Sequence, residues 1–451
     1  MKLTFYGATQ TVTGSKYLLE DGNNRTLLDC GLFQGLKELR LRNWDKLPFE
    51  PSSIDNVVLT HAHIDHSGAL PMLVRDGFKG RIYSSSGTAD LCDILLPDSG
   101  RLHEEDAYRA NKYGYTKHHP AKPLYTEDDA YKALEHFFPV SLGKEFSLGE
   151  ELSFSLMRAG HILGANIVRF SAAGTSIVFS GDLGRLNDPI MHPPAEVQDT
   201  DYLVLESTYG NRKHEDIDPQ DIMKNIINDT VSHGGKVLIP AFAVGRAQLM
   251  LYHVYQLKKR GEIPNVPVFL DSPMSIKATR VLQQHLKDHK LSEDECNAVC
   301  GVAEYLKTPE ESKSLNETTM PMIIISASGM ATGGRVLHHL KNLVGDKKNT
   351  VLFAGFQAAG TRGERLVNGE DRIKIHGDLY PVRARIENLA NMSAHADYEE
   401  ILEWLSKFRS APKTVFLSHG EIEAAQSLKE KIEDRFGWNV VIPEYEDSFD
   451  L

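Results

Sequence analysis

Short apolar runs rich in β-branched residues recur along the chain, and each ends in a polar or glycine-rich turn before a stretch of helical periodicity. That rhythm predicts layered α/β structure. Thr26-Leu27-Leu28 runs into Asp29, and Val57-Val58-Leu59-Thr60 runs into His61. Ser176-Ile177-Val178-Phe179 leads to Gly181-Asp182, Tyr202-Leu203-Val204-Leu205 to Glu206, and Lys413-Thr414-Val415-Phe416-Leu417 to Ser418-His419-Gly420. Ligand sites in α/β sheets gather at the carboxyl ends of strands, so acidic and imidazole groups from remote positions are expected to converge.

Between Glu206 and His395 the same rhythm continues with different turn chemistry. Residues 236–239 lead to Pro240-Ala241-Phe242-Ala243-Val244-Gly245-Arg246, and residues 267–270 to Asp271-Ser272-Pro273. Residues 322–325 lead to Ser326-Ala327-Ser328-Gly329-Met330-Ala331-Thr332-Gly333-Gly334-Arg335, and residues 351–354 to Gly355-Phe356-Gln357 and Gly360-Thr361-Arg362-Gly363. Loops of glycine, small hydroxyls and arginine at helix starts suit phosphate. This third of the chain reads as a doubly wound α/β domain inserted into another, because His395 and His419 resume metal-type chemistry after it. The expected boundaries are 1–207 and 389–451 for the outer domain and 208–388 for the insertion.

The densest chemistry is His61-Ala62-His63-Ile64-Asp65-His66, three imidazoles and a carboxylate in six residues directly after an apolar run. Such a cluster is costly to bury without partners, and its donor atoms are those preferred by zinc. Composition adds limits: 451 residues with 41% hydrophobic and 25% charged side chains describe an ordinary globular protein large enough for more than one core. No apolar run approaches membrane-spanning length and the first residues lack the apolar block of a signal peptide, so a cytoplasmic protein without membrane association is expected. The four cysteines are too scattered for a disulfide scaffold or a zinc knuckle. A net charge of -12 argues against nonspecific coating of nucleic acid while permitting a locally basic surface.

The hexad, followed by lone His161 in Ala159-Gly160-His161 and by Asp182, resembles the metallo-β-lactamase superfamily. Glu206 in Leu205-Glu206-Ser207-Thr208-Tyr209-Gly210, His395 in Ser393-Ala394-His395-Ala396-Asp397, and His419 resemble the added motifs of its β-CASP branch. That branch comprises nucleic-acid nucleases, including the endonuclease subunit of the pre-mRNA cleavage and polyadenylation machinery and its bacterial and archaeal relatives. Thr11-Val12-Thr13-Gly14-Ser15, Gly245-Arg246 and Gly334-Arg335 carry the likeness further, so that it spans essentially the whole chain. It implies an αββα metallo-β-lactamase sandwich with an inserted doubly wound α/β β-CASP domain.

The resemblance also implies roles. His61, His63 and His161 would bind one zinc and Asp65, His66 and His419 a second, with Asp182 bridging the two Zn2+. Together the ions would supply hydroxide at neutral pH and offset phosphodiester charge. Imidazole at position 63, where flavo-diiron relatives carry glutamate, favours zinc. Asp29 would accept a hydrogen bond from a ligand imidazole and fix its orientation. Asp65 and Asp182 count as catalytic with the acid pair Glu206 and His395, in which a carboxylate-held imidazole protonates the departing oxygen. His419, where DNA-processing members of the branch usually lack histidine, points to RNA. Arg246, Ser328, Arg335 and Arg362, with Arg365 beside them, are candidate phosphate contacts, since guanidinium forks match phosphate oxygens.

Several of these residues also fit plainer roles taken singly: Asp29 and Asp182 as turn aspartates, His161 as a loop histidine, His395 and His419 as groups at helix starts. The expected activity is metal-dependent ribonuclease, endonucleolytic in mode, with RNA as partner and room for a homodimer. A 5′-exoribonuclease and a small-molecule metallohydrolase of the thioester or lactone type stay open. The latter would share the hexad but needs neither the inserted domain nor the acid pair. A non-catalytic scaffold is disfavoured by the complete ligand set, and there is neither a Gly-x-Ser-x-Gly elbow nor a P-loop.

Overall fold

A computed structural model describes the chain from Met1 to Leu451 except Tyr115, Phe356, Ala359, Ala390 and Asn391. Phe356 of the Gly355-Phe356-Gln357 loop therefore lies outside the described residues. The chain divides into one compact unit formed by residues 1–213 with 395–451 and another formed by residues 214–394. Both divisions fall six residues beyond those expected from sequence. Residues 208–213 stay with the first unit because Ser207 and Thr208 hydrogen-bond Ser418 O and His419 O, and Lys213 pairs with Glu399 at 2.7 Å. Leu389 stays with the second because it closes a strand ladder opposite Ala354.

Among the described residues the first unit holds two seven-stranded sheets. One runs in the order Ser448–Asp450, Lys2–Phe5, Tyr17–Asp21, Asn24–Leu28, Asn56–Val58, Arg81–Ser84, Phe137–Pro139. The other runs Val440–Val441, Thr414–Ser418, Tyr202–Glu206, Thr175–Phe179, Asn166–Ala172, Ser153–Arg158, Glu145–Ser147. Leu3, Phe5, Tyr17, Leu19, Leu28 and Val58 from the first sheet share a core with Phe154, Leu156, Val168, Phe170, Phe179, Val204 and Phe416 from the second. The inward alternation of apolar side chains on both sheets explains this face-to-face packing. Helix Ser86–Tyr113 packs against Phe137–Pro139 and helix Ile422–Phe436 against Thr414–Ser418, which completes the αββα sandwich.

Parallel pairing brings the functional turns together. Asn24–Leu28 pairs with Asn56–Val58, Leu28 opposite Val58, so Asp29 and the residues after Val58 leave the sheet at one end. In the other sheet, Thr175–Phe179, Tyr202–Glu206 and Thr414–Ser418 lie parallel with Glu206 opposite Ser418, so Asp182, Glu206 and His419 emerge together. The strand expected over residues 57–60 ends at Val58. Thr60 leaves the ladder because its N–H donates to the Asp29 side chain at 2.7 Å.

The second unit is built on a six-stranded sheet in which every pairing is parallel, in the order Glu304–Tyr305, Val268–Asp271, Ile323–Ser326, Val237–Pro240, Thr350–Ala354, Arg385–Leu389. Its central strands are buried throughout, as expected of a sheet covered by helices on both faces. Helices Arg246–Lys259, Arg335–Leu343 and Arg362–Val367 each begin with one of the candidate arginines after the strands Val237–Pro240, Ile323–Ser326 and Thr350–Ala354, which neighbour one another in the sheet. Among the described residues no helix is long and apolar enough to cross a membrane.

Candidate metal centre

The hexad forms a tight turn and the short helix Ile64–Ser67. Ser67 Oγ donates to Ala62 O and His63 O at 2.9 and 3.0 Å, and the N–H groups of His66 and Ser67 both donate to His63 O. Neighbouring backbone clamps the turn: Ser15 N donates to Asp65 O, Cys30 N to His66 O and Leu32 N to Ile64 O, at 2.9, 2.7 and 2.9 Å. Residue 31 must be glycine here, since a Cβ would stand 1.6 Å from Asp65 O. The clamp fixes the backbone that carries the four donor side chains.

Two groups of donor atoms result. His61 Nε2 and His161 Nε2 lie 3.1 and 3.2 Å from His63 Nδ1, and each lies 3.5 Å from Asp182 Oδ2. His66 Nε2 lies 3.1 Å from His419 Nε2 and 3.3 Å from Asp182 Oδ1, while His419 Nε2 lies 3.3 Å from Asp65 Oδ2. Asp182 thus turns one carboxylate oxygen to each group, and its Oδ1 is buried without a hydrogen-bond partner. Ligands held at about 2.05 Å from a tetrahedral ion are spaced roughly 3.3 Å apart, which matches these separations. Lone pairs of imidazole and carboxylate gathered this closely repel unless a proton or a cation lies between them, so the residues present fit metal.

The electrostatics point the same way. Burial and the nearby His66 push His61 far below its ordinary value, leaving a neutral imidazole with a lone pair for a metal. Burial also opposes charge on Asp182, yet His419, His66 and His61 together hold it well below the carboxylate range. His66 is itself depressed by burial but raised far more by Asp182 and Asp29. Its Nδ1 donates to Asp29 Oδ2 at 2.7 Å, and Asp29 also accepts from Thr60 N and Thr60 Oγ1 at 2.7 and 2.8 Å. A doubly held carboxylate of this kind sets which nitrogen of His66 faces the metal group.

Glu206 and His395 lie beside the first group. His395 Nδ1 is 3.2 Å from both Glu206 oxygens, its ring centroid is 4.4 Å from that of His161, and Tyr209 stacks on it at 6.1 Å. Glu206 is buried and fixed by the Leu183 N–H at 2.6 Å. Burial depresses the His395 imidazole, but the Glu206 carboxylate outweighs it and lifts the group to about 9. Cations bound nearby would draw that value back toward neutrality.

Thr60, Thr208 and Ser15 escaped the sequence reading as parts of the site. Thr60 orients Asp29, Thr208 Oγ1 lies 3.1 Å from His419 Nδ1, and Ser15 Oγ lies 3.4 Å from His66 Nε2. Ser15 and Thr208 lie inside the motifs at 11–15 and 205–210, and Thr60 directly precedes the hexad, but none carries a ligand-type side chain that would single it out. In the second unit Arg335 donates to buried Asp271 Oδ1 at 2.6 Å and to Leu306 O and Lys307 O. Asp271 also accepts from His339 Nε2 at 2.6 Å and from Ser312 Oγ. Arg362 donates to Lys374 O, Ala331 O and Thr332 O, and Arg365 pairs with Glu370. Ser328 Oγ accepts from Thr332 N at 3.0 Å within its own loop. Arg246 opens its helix after Gly245, with NH2 3.5 Å from where a Cβ on Gly355 would stand.

Three family models match successive parts of the chain: the metallo-beta-lactamase superfamily over residues 11–226, the Beta-Casp domain over 247–366, and the Zn-dependent metallo-hydrolase RNA specificity domain over 379–443. Ribonuclease TTHA0252 of Thermus thermophilus is 36% identical over 436 residues, covering 95% of each chain. An RNase J-like protein of Methanocaldococcus jannaschii is 31% identical, covering 93% of this chain and 92% of the relative. Transcription termination factor FttA of the same organism is 26% identical over 98% of this chain and 70% of its own length. A crystal structure of a protein of unknown function from Enterococcus faecalis V583 shares the fold, with a TM-score of 0.55, 15% identity, and coverage of 100% of this chain and 99% of that one. The chain belongs to the β-CASP branch of the metallo-β-lactamase superfamily, a family of metallo-hydrolases.

Proposed function

We propose that this protein is a zinc-dependent ribonuclease that hydrolyses internal RNA phosphodiester bonds with two bound Zn2+. The observation that carries the reading is Asp182, whose two oxygens face two separate histidine groups while the Glu206–His395 pair stands alongside. His61, His63 and His161 would hold one ion, Asp65, His66 and His419 the other, and Asp182 both. When bound, such ions activate water as a nucleophile and offset charge on the phosphodiester. The rest is supplied by the chain. Asp29 presents His66 through its Nε2, and Glu206 holds His395 at Nδ1, so that the oriented imidazole delivers a proton to the departing ribose oxygen.

Phosphates along the RNA are assigned to Arg246 and the Ser328 loop of the second unit. Arg362 holds that loop in shape through the carbonyls of residues 331 and 332, while Arg335 is engaged by Asp271 and by the carbonyls of residues 306 and 307; both retain only their remaining N–H groups for substrate. Ribonuclease and RNase J-like relatives over nearly the full chain support RNA over a thioester or lactone.

Incubating the purified protein with RNA labelled at either end, with and without chelator, tests the reading. Internal fragments that vanish on chelation and return with zinc are expected. Mononucleotides released from the 5′ end would instead make it an exoribonuclease, and intact RNA beside a turned-over ester would make it a small-molecule hydrolase.

A further inference from the structure

The chain carries a net charge of -12, yet no aspartate or glutamate occurs between Asp106 and Glu127. Those twenty residues include Arg109, Lys112, Lys117 and Lys122, two histidines, and Tyr108 and Tyr113. The described residues among them form the last turns of helix Ser86–Tyr113, which Gly114 ends in a left-handed cap, and the loop that returns from it. Asn111 ties loop to helix, its Nδ2 donating to Ala121 O and its Oδ1 accepting from Ala121 N at 2.9 and 2.8 Å. The basic side chains of both limbs are thereby gathered at one tip, and all four are exposed. Acidic residues are confined to the base of the tip, where Glu127 N donates to Glu104 Oε2. One ion pair crosses between base and tip, Arg109 with Glu105 at 3.3 Å.

Two tyrosines make the tip more than a solvated charge cluster. Tyr108 and Tyr113 are 65% and 67% exposed, far more than tyrosines tolerate when their role is packing, and the Lys112 ammonium lies 5.8 and 5.5 Å from their ring centroids. Exposed aromatic faces interleaved with cations are the elements of single-stranded nucleic-acid recognition: rings stack on bases and cations track phosphates. An acidic protein partner would use the charges but has no need of bare rings.

The first turn of the same helix is anchored at the metal centre. Ser85 Oγ and Thr88 Oγ1 donate to Gly164 O at 2.6 and 2.7 Å, three residues beyond His161. At about 1.5 Å per residue its 28 residues carry the tip about 40 Å away. A strand stacked at about 3.4 Å per nucleotide needs roughly 12 nucleotides to cover that distance.

We propose that the tip built from Tyr108, Arg109, Lys112, Tyr113, Lys117 and Lys122 is a secondary binding platform for single-stranded RNA. It engages the substrate remote from the scissile bond and makes long RNAs better substrates than short ones. The proposal rests on the ribonuclease reading and names a second contact region for the same substrate.

The test compares wild-type protein, Arg109→Glu/Lys112→Glu/Lys117→Glu and Tyr108→Ala/Tyr113→Ala. Binding of fluorescein-labelled RNA of roughly 30 and roughly 6 nucleotides is followed by anisotropy in chelator so that the probe stays intact, and kcat/KM is measured for both lengths with zinc. The charge reversals should weaken long-RNA binding at least tenfold and lower the salt slope by about 2, at about 0.7 per phosphate contact. Loss of both tyrosines should weaken it at least about 30-fold at an unchanged slope. Turnover of the short RNA should not change in either variant. Unchanged long-RNA affinity in variants of a protein that still cuts RNA would overturn the platform alone. So would loss of binding to phosphatidylserine vesicles with RNA binding intact. A wild-type protein that neither binds nor cuts RNA would remove the ribonuclease reading with it.

Discussion

Asp29 makes a sharp test of how the metal centre is set, because an isosteric change there alters one proton and little else. In Asp29→Asn the remaining carbonyl oxygen can still accept from Thr60 N, but an NH2 group replaces Oδ2 opposite His66 Nδ1 at 2.7 Å and Thr60 Oγ1 at 2.8 Å. Two donors then face each other across the 2.7 Å contact with His66. His66 escapes only by moving its proton to Nε2, the atom that lies 3.1 Å from His419 Nε2 and 3.3 Å from Asp182 Oδ1. A proton there occupies the lone pair offered to metal. Outer partners of ligating imidazoles are worth roughly 10- to 100-fold in metal affinity, or about 1.4–2.7 kcal/mol.

The effect should fall first on the ion placed at His66, the imidazole that meets Asp29 directly, while His61 is reached from Asp29 through Thr60 Oγ1, 3.1 Å from His61 Nδ1. Chelator competition should show one zinc held as in wild type and one released 10- to 100-fold more readily, and excess zinc should restore cleavage. Nitrogen NMR of His66 should report the exchanged tautomer. Two zinc ions held with wild-type affinity, or two lost together, would refute the tautomer argument.

His395→Ala should keep both ions and RNA affinity yet slow cleavage by roughly 10²–10⁴-fold, with a much smaller loss on a nitrophenyl phosphodiester whose leaving group needs no proton; equal losses would make His395 a shaper of the metal site. Asp182→Ala should lower elemental zinc from two toward none, whereas retention of one full equivalent would mean that the carboxylate serves a single ion. His253 is buried in helix Arg246–Lys259, and burial, aided by Arg246 and Arg260, pushes its imidazole down to about 3. Its folded value is depressed, so it stays neutral in the fold while the unfolded chain protonates near pH 6.5. Stability is therefore lost as pH falls from about 6.5 toward 3, by at most about 1.4 kcal/mol per pH unit. Urea midpoints at pH 7 and 4.5 should differ less in His253→Leu than in wild type, and an unchanged difference would assign the acid sensitivity elsewhere.

The cluster of candidate ligands was legible because metal chemistry restricts residue type: six residues with four donor atoms, followed by isolated histidines and acids at strand ends, are the residues that the fold gathers into candidate metal groups. The alternation of apolar runs and turns carried the two α/β parts for the same reason, since a sheet covered on both faces demands uninterrupted β-branched strands such as Ile323–Ser326. The positions that escaped reading are those whose role depends on one hydrogen bond. Thr60 is an ordinary strand residue by composition, and only its side chain meeting Asp29 makes it part of the site.

The arginines show the opposite failure, in which residue type promises more than it decides. Arg246, Arg335 and Arg362 each open a helix at a strand's carboxyl end, the right address for phosphate. Side-chain geometry then separates them. Arg335 balances the buried Asp271, whose other oxygen takes His339 and Ser312, and removing the guanidinium would leave that carboxylate buried with less compensation. Arg362 joins the strand Arg372–Ile375 to the loop carrying Ala331 and Thr332 through carbonyls that any flexible cation could reach only with loss of geometry. A charge beside a glycine-rich turn is therefore ambiguous until its partners are known, whereas the basic tip at Arg109–Lys122 gained meaning from what the sequence lacks there. Twenty residues free of acid in a chain this acidic leave the tip a net cationic surface even with Arg109 paired to Glu105, and the exposed tyrosines beside those cations give them a ligand class.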